Sequence, residues 1–262
     1  MNDPSVPAPI RPAATILLLR DAPQLEVLMV QRHHAIDFAS GALVFPGGKA
    51  HQGDDDPNWA DFTLGWDEFD PGQRALRIAA IRESFEEAGV LLARRGDGGP
   101  MGEEVCPIEV RQDVDAGRTA FLDVVRDLDA RLDLQALTVF ARWITPPLPG
   151  FKRFDTWFFV AKAPVEQLAA CDGRETVDAV WIAPSQALQL GRSGARSVIF
   201  PTRMNLKLLA ESADAGDALS RAAGRALVTV RPRLEERSSG PFLILPPDAG
   251  YGEVEEPLEN VL

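Results

Sequence analysis

The hydrophobic pattern begins with two β-like runs, residues 14–19 and 25–31, which are separated by a short polar segment containing Pro23. Apolar runs joined in this way are typical of a β-hairpin. Residues 43–45 form a further apolar triplet that ends at Pro46 and two glycines, which predicts a strand that stops in a sharp turn. The N-terminal region is therefore predicted to form strands.

A helical pattern follows over residues 73–88. At 100° per residue, Ile81, Phe85 and Ala88 fall on one apolar stripe, and Gly89 comes directly after it. Glycine often follows the end of a helix because it adopts the left-handed conformation without a steric penalty. The pattern therefore predicts an amphipathic helix that ends at Gly89.

The rest of the chain mixes helical and β-like segments without a regular βαβ repeat. The pattern predicts helical segments over 103–132 (broken at Gly117), 185–190, 202–213 and 215–225, and strands over 137–145, 156–161 and 177–182. A mixed order of this kind indicates an α+β fold in which a mixed β-sheet lies between helices.

These segments are predicted to form one main domain with flanking parts. Residues 1–12 contain four prolines and no periodicity, so we expect a flexible leader before a domain that spans residues 13–190. Residues 50–72 are acidic but contain two tryptophans and two phenylalanines, which predicts an ordered insertion rather than disorder. Residues 191–262 are predicted to form a helical C-terminal extension and acidic tail, packed on the same domain.

Composition narrows the classes of function. The chain has 27 Lys and Arg against 39 Asp and Glu, and a net charge of -12 argues against binding nucleic acid polymers through a broad basic face. No apolar run is long enough to span a bilayer, and two cysteines cannot form a disulfide framework or a Cys-based zinc site. The opening residues lack the pattern of a secretory signal. We therefore expect a cytoplasmic protein that binds neither membranes nor nucleic acid.

Three glutamates share the side of the predicted helix that lies opposite its apolar stripe. Glu83, Glu86 and Glu87 fall within an arc of about 100°, and helix positions three or four apart lie about 5–6 Å from each other. Like charges this close destabilise a helix unless a cation offsets them, and Mg²⁺ or a similar hard ion prefers carboxylate oxygens. The alternative is a solvated acidic face, which is the more common role of a charge run.

The residues around these glutamates resemble a known family. Residues 82–90, RESFEEAGV, resemble the second half of the Nudix box, G-x5-E-x7-R-E-U-x-E-E-x-G-U with U aliphatic, and residues 45–49, FPGGK, resemble the turn that opens it. Two positions depart from the box. Ser84 replaces an aliphatic residue, and the first glutamate is either absent, with Arg74 in its slot, or replaced by Asp54 from a displaced loop.

Further strings resemble the coenzyme A diphosphatase-like subgroup, the nucleoside diphosphate-linked moiety X motif 19 type. They are the insertion after the FPGG turn and residues 77–83, 143–146 and 153–156. The resemblance implies a Nudix-type α/β/α sandwich with a mixed sheet. It also implies a metal-dependent hydrolase that cleaves the diphosphate bond of coenzyme A, acyl-coenzyme A or a related nucleoside diphosphate-linked compound.

Two other functions are compatible with the same resemblance. The first is a Nudix pyrophosphatase for ADP-ribose, a dinucleoside polyphosphate or another nucleotide, because these enzymes share the box. The second is a non-catalytic Nudix module that binds a ligand, which the two departures from the box support. In each case the partner is a small molecule, and formation of a homodimer is left open.

The resemblance assigns roles by motif position. The implied ligands of Mg²⁺ or Mn²⁺ are Glu83, Glu86, Glu87 and the carbonyl oxygen of Gly48. The residues implied to support the site structurally are Arg82, Gly47 and Gly89. The base that deprotonates water would be Glu83 or Glu175, although Glu175 is equally consistent with an exposed loop charge. Arg32 and Arg153 are candidate phosphate contacts because a guanidinium binds phosphate bidentately, and each is equally consistent with a surface ion pair.

Overall fold

The structure, a computed structural model, describes residues 8–32, 41–103, 105–148, 152–171 and 176–261, except for the side chains of Arg32 and Val177. Its strands are β1 (Ile10–Asp21), β2 (Leu25–Arg32), β3 (Leu43–Val44), β4 (Gly47–Lys49), β5 (Thr63–Leu64), β6 (Ala93–Arg95), β7 (Ala130–Asp133), β8 (Thr138–Ile144), β9 (Arg153–Lys162), β10 (Thr176–Ile182), β11 (Thr229–Val230), β12 (Arg233–Arg237), β13 (Gly240–Ile244) and β14 (Glu255–Pro257). Its α-helices are α1 (Pro71–Ala88), α2 (Ile108–Asp115), α3 (Phe121–Asp127), α4 (Pro184–Arg192), α5 (Phe200–Leu209) and α6 (Ala215–Gly224). None of the helices in these ranges is both long and apolar enough to cross a lipid bilayer.

A mixed eight-stranded sheet forms the centre of the molecule. Six strands follow one another in the order β10-β2-β1-β9-β8-β11, while β3 pairs with β2 and β4 pairs with β1. β1 is parallel to β9 but antiparallel to β2 and β4. The hairpin and the mixed sheet predicted from the sequence are therefore confirmed.

Helices cover both faces of this sheet. One buried core packs α1, α2 and α3 against one face, and a second core packs α4, α5 and α6 against the other. The side chains of β1 alternate between the two, since Ile16 and Leu18 lie in the first core and Leu17 and Leu19 in the second. This alternation follows from the two-residue period of a strand, and it confirms the predicted α+β fold with a sheet between helices.

The insertion at residues 50–72 is ordered and packs on the first core. It contains short 3₁₀ segments and β5, and the ring of Trp59 is buried 5.5 Å from the ring of Phe121. Trp59 Nε1 also donates to the carbonyl oxygen of Gly53. The other aromatic rings of the insertion are half-buried against the same core. The insertion therefore adds a layer beside α1.

The C-terminal region contains more strand than the sequence predicted. The helices α5 and α6 were predicted, but β12, β13 and β14 form an antiparallel sheet of their own within the expected acidic tail. Tyr251 connects this region to the main sheet, because its hydroxyl accepts from Trp143 Nε1 and donates to Asn205 Oδ1. β1 also starts earlier than predicted, at Ile10, since residues 10–13 pair with β9.

Candidate active site

Helix α1 begins and ends at residues suited to those positions. Asp70 caps its N-terminus by accepting from the backbone N–H of Gln73, and Pro71 occupies the first turn, where no backbone donor is needed. At the other end Gly89 adopts a φ of 72°, the left-handed conformation that glycine tolerates. The helix thereby holds its last two turns, which carry the three glutamates, in a fixed position.

The three glutamates do not form a solvated face. Glu83, Glu86 and Glu87 are only 6%, 6% and 3% exposed, although nothing in the helical pattern distinguishes their side from a surface. A buried carboxylate requires a compensating cation or hydrogen bonds, because the loss of hydration is costly. The structure therefore removes the solvated alternative and leaves the question of what compensates the charge.

Arg82 compensates part of the negative charge of the buried glutamates. Its Nη1 donates to Glu83 Oε1 and to Glu86 Oε2, each at 2.9 Å, and its Nη2 donates to the carbonyl oxygen of Lys49. Burial alone would lower the pKa of Arg82, but the carboxylates around it outweigh burial and raise that pKa. The guanidinium therefore stays charged and holds two of the glutamates in place.

Asp54 completes the surroundings of Arg82. Its carboxylate, which is 2% exposed, accepts from Arg82 Nε at 2.9 Å and from Arg82 Nη2 at 3.1 Å. Arg74 lies elsewhere, with its guanidinium 4.3 Å from the centre of the Trp66 ring. Of the two alternatives for the missing first glutamate, the structure therefore brings the displaced Asp54 to the box arginine.

Gly47 and Gly48, which the sequence predicted to form a turn, lie instead in strand β4 and approach the glutamates closely. The backbone N–H of Gly47 donates to Glu87 Oε2 at 3.1 Å. A Cβ atom built on Gly48 would lie 2.5 Å from Glu83 Oε1, so only glycine leaves room for that carboxylate. The pairing of β4 with β1 fixes the two glycines at this position, with Gly48 beside Ala14.

The carbonyl groups at the end of α1 have donors from distant parts of the chain. Arg111, on α2, donates to the carbonyl oxygens of Phe85 and Glu86, and also to that of Ala170. Thr176 Oγ1 donates to the carbonyl oxygen of Glu87. Sequence analysis did not find Arg111 or Thr176, because neither lies near the box and no pattern marks them.

The donor set fits a hard divalent cation. Glu86 Oε1 is buried and has no hydrogen-bond partner among the described residues, and burial raises the pKa of Glu86 to about 8. In the described ranges, no three His, Cys, Asp or Glu side chains are arranged so that they could hold a metal ion together. Arg82 binds one carboxylate oxygen of Glu83 and one of Glu86. A cation beside Glu86 would satisfy this oxygen, because Mg²⁺ and Mn²⁺ prefer carboxylate ligands.

Of the other predicted residues, the structure describes Arg153 and does not bring it to this cluster. Arg153 lies at the start of β9, where its Nε donates to the carbonyl oxygen of Thr145, and no ion pair in the described residues joins it to the glutamates. Glu175 and the side chain of Arg32 lie outside the described residues. Their predicted roles therefore stay predictions.

Comparison with known families gives a match over the site. A family profile described as the NUDT19 Nudix domain matches residues 63–204, which include α1 and all three glutamates. Acyl-coenzyme A diphosphatase NUDT19 of Homo sapiens is 30% identical over 284 residues, covering 90% of this chain and 75% of that protein. The Xenopus laevis protein of the same name is 27% identical over 206 residues, and this chain covers 54% of its length.

A solved structure supports the same relationship. The crystal structure of a NUDIX hydrolase from Alicyclobacillus acidocaldarius has a TM-score of 0.70 and 31% sequence identity to this chain. The match covers 81% of this chain and 96% of that one. The similarity therefore extends over most of the fold as well as over the box.

Proposed function

Because the chain belongs to the Nudix family, within the group described as the NUDT19 Nudix domain, we propose that it hydrolyses the diphosphate bond of coenzyme A or acyl-coenzyme A. A related nucleoside diphosphate-linked compound would be cleaved in the same way. The observation that carries the proposal is the burial of Glu83, Glu86 and Glu87 beside Gly47 and Gly48. The names of the human and Xenopus relatives support the choice of coenzyme A.

The proposed metal ligands are Glu83, Glu86, Glu87 and the carbonyl oxygen of Gly48. Bound Mg²⁺ or Mn²⁺ would neutralise the diphosphate and stabilise the charge that develops on its oxygens. Glu86 Oε1, which has no hydrogen-bond partner in the part of the chain that the structure describes, supports this assignment. Arg82 has a positioning role, since its hydrogen bonds go to carboxylates and to a backbone carbonyl.

Either Glu83 or Glu175 is proposed as the base that deprotonates the attacking water. Glu83 is supported by its position against Gly48, where a Cβ atom would lie only 2.5 Å from Glu83 Oε1. Glu175 is supported by the sequence, since it directly precedes β10, whose first residue contacts the end of α1. Arg32 and Arg153 are retained as proposed phosphate contacts on chemical grounds.

Product analysis on a panel of substrates tests the proposal. The purified chain would be incubated with coenzyme A, acetyl-coenzyme A, ADP-ribose and a dinucleoside polyphosphate, each with Mg²⁺ or Mn²⁺, and the products identified by mass spectrometry. We expect 3′,5′-ADP and 4′-phosphopantetheine from coenzyme A. Faster cleavage of ADP-ribose or the dinucleoside polyphosphate would instead support the other enzymatic function.

The non-catalytic alternative gives a different result in the same experiment. A ligand-binding module would bind one of these compounds tightly and cleave none of them with any divalent metal. Against this alternative, the box arginine and the three glutamates are all present and in contact with each other or with Gly47 and Gly48. We further propose a cytoplasmic location and a single domain that includes residues 191–262.

A further inference from the structure

Trp157 and Arg142 lie in the same row of the central sheet as Gly48. The register places Gly48 beside Ala14, Ala14 beside Trp157, and Trp157 beside Arg142 on four neighbouring strands. Paired strands lie about 4.8 Å apart, so Trp157 is about 10 Å from Gly48 at the backbone. Residues opposite each other in paired strands share a face, and here it is the face that meets Glu83 of α1.

The two side chains form a stack that is held in one orientation. The Arg142 guanidinium lies 4.7 Å from the centre of the Trp157 ring. Asp155 accepts from Arg142 Nε at 2.9 Å and from Nη2 at 2.6 Å, a two-point contact that fixes the guanidinium plane. The same contact raises the pKa of Arg142, so the group remains charged.

This stack is partly exposed to solvent, and the charge of its arginine is neutralised by an aspartate. The Arg142 and Asp155 side chains are 29% and 21% exposed, and the Trp157 ring is half-buried. Because Asp155 neutralises the guanidinium, the pair suits a flat uncharged ring better than a further phosphate. Indole rings and guanidinium planes are the surfaces on which proteins stack nucleobases.

We propose that Trp157 and Arg142 form the surface that binds the adenine ring of the substrate. The inference rests on the proposed function, because it takes Gly47 and Gly48 as the diphosphate end of the site. With its diphosphate at Gly47 and Gly48, a nucleotide reaches Trp157, about 10 Å from Gly48 at the backbone, by passing beside the fully buried Ala14. Asp155 is a positioning residue in this arrangement, since it contacts Arg142 and not the base.

Binding of the two product halves tests this assignment. The affinities for 3′,5′-ADP and for 4′-phosphopantetheine would be measured by calorimetry in EDTA, so that the readout does not depend on a metal-loaded enzyme. We expect Trp157→Leu to weaken 3′,5′-ADP binding about tenfold or more, the scale of one lost aromatic–base stack. Affinity for 4′-phosphopantetheine should not change.

Two further variants separate loss of stacking from loss of folding. Trp157→Phe retains an aromatic ring, so we expect it to recover most of the affinity for 3′,5′-ADP. Trp181→Leu is the matched control, because Trp181 is also half-buried and carries a stacked arginine, Arg20, 4.5 Å from its ring centre. Arg20 lies six residues beyond Ala14 along β1, about 20 Å away, and we expect Trp181→Leu to bind 3′,5′-ADP normally.

The outcomes distinguish this inference from the proposed function. If the wild-type chain cleaves coenzyme A while Trp157→Leu binds 3′,5′-ADP normally, the adenine assignment is overturned and the proposed function stands. If 3′,5′-ADP binding depends on Trp157 but coenzyme A is not cleaved, the inference stands and the proposed function fails. Loss of 4′-phosphopantetheine binding alone, or an equal loss in Trp181→Leu, would also overturn the adenine assignment.

Discussion

Two adjacent glycines next to the glutamates face different neighbours, so alanine should have different effects at each. A Cβ on Gly48 would meet the movable carboxylate of Glu83, whereas a Cβ on Gly47 would meet Thr15 Cα and the carbonyl oxygen of Ala14, both at 2.7 Å. We expect Gly48→Ala to lower kcat at least tenfold with little change in Tm. Gly47→Ala should lower Tm itself, since a backbone cannot move aside cheaply.

Kinetic assays and thermal unfolding of both variants check this contrast. The pair controls for the simple addition of a methyl group, because the change in sequence is the same and the positions are neighbours. Normal turnover by Gly48→Ala would mean that the position of the Glu83 carboxylate does not matter for the reaction.

The glutamates themselves provide a second residue-scale prediction. Glu86→Gln and Glu87→Gln each remove a negative charge but keep the shape of the side chain, so we expect a folded protein whose kcat falls by orders of magnitude at any Mg²⁺ concentration. Glu236→Gln, at an exposed position on β12, is the charge-matched control and should turn over normally. Normal rates in both site variants would reject the proposed metal ligands.

At this scale the sequence predicted the cluster but not all of its contacts. The box motif and helical spacing place Glu83 and Glu86 on one side of α1, next to Arg82. The contact of Arg82 with Asp54 spans 28 residues and depends on how the insertion folds, which no local pattern encodes. The sequence therefore left two alternatives for the first acidic position, and only the fold distinguishes them.

The end of α1 depends on a residue from another helix. Three glutamates lie near the end where the helix dipole is negative, and no basic residue lies in the last turn. Arg111 on α2 is 5% exposed and supplies a positive charge there together with hydrogen bonds to two carbonyl groups of α1, those of Phe85 and Glu86. We infer that Arg111 keeps the glutamate-bearing end of α1 helical.

Replacing Arg111 with methionine tests this element-scale role. Hydrogen bonds from a charged donor to buried acceptors are worth about 1.5–3 kcal/mol each, so we expect Arg111→Met to lower the free energy of unfolding by about 3 kcal/mol or more. Arg118→Met is the control, since Arg118 forms an exposed pair with Asp113 and should cost about 1 kcal/mol at most. Equal stability of the two variants by urea unfolding would contradict the role.

Helices and strands could be predicted where the apolar residues follow one clear pattern along the chain. The apolar stripe of α1 and the apolar runs of β1 and β2 follow directly from the sequence, as do α5 and α6. The strands β12 to β14 were missed, because proline and charge interrupt their apolar positions and their partners lie within the same short region. Short strands of this kind can be identified only from their hydrogen-bonded pairing in the structure.

At the scale of the whole molecule, Tyr251 connects the C-terminal region to the main sheet and to α5. This is the single tyrosine of the chain, and burial raises its pKa to about 12 from the ordinary value of 10.0. In the folded state the hydroxyl donates to Asn205 Oδ1 at 2.7 Å, a bond that the ionised form cannot make. The link between residues 245–257 and the main sheet should therefore depend on pH in the alkaline range.

An alkaline titration tests this link. Between pH 10 and 12 the unfolded chain loses the tyrosine proton while the folded chain retains it, so the unfolded state binds fewer protons and stability falls as pH rises. We expect the tyrosinate absorbance of the folded protein to rise with a midpoint near pH 12, and that of the urea-unfolded chain near pH 10. Tyr251→Phe should lose less stability than the wild type over this range. Coinciding midpoints would show that Tyr251 is not buried.

Binding of Mn²⁺ tests the central claim most directly, namely that the buried glutamates exist to hold a divalent cation. Crystals soaked in MnCl₂ should show an anomalous peak in contact with the carboxylates of Glu83, Glu86 and Glu87, with Glu86 Oε1 among its ligands. The matched soak of Glu86→Gln crystals should show a much weaker peak or none. A wild-type map without an ion, in which Arg82 alone compensates the carboxylates, would contradict the claim.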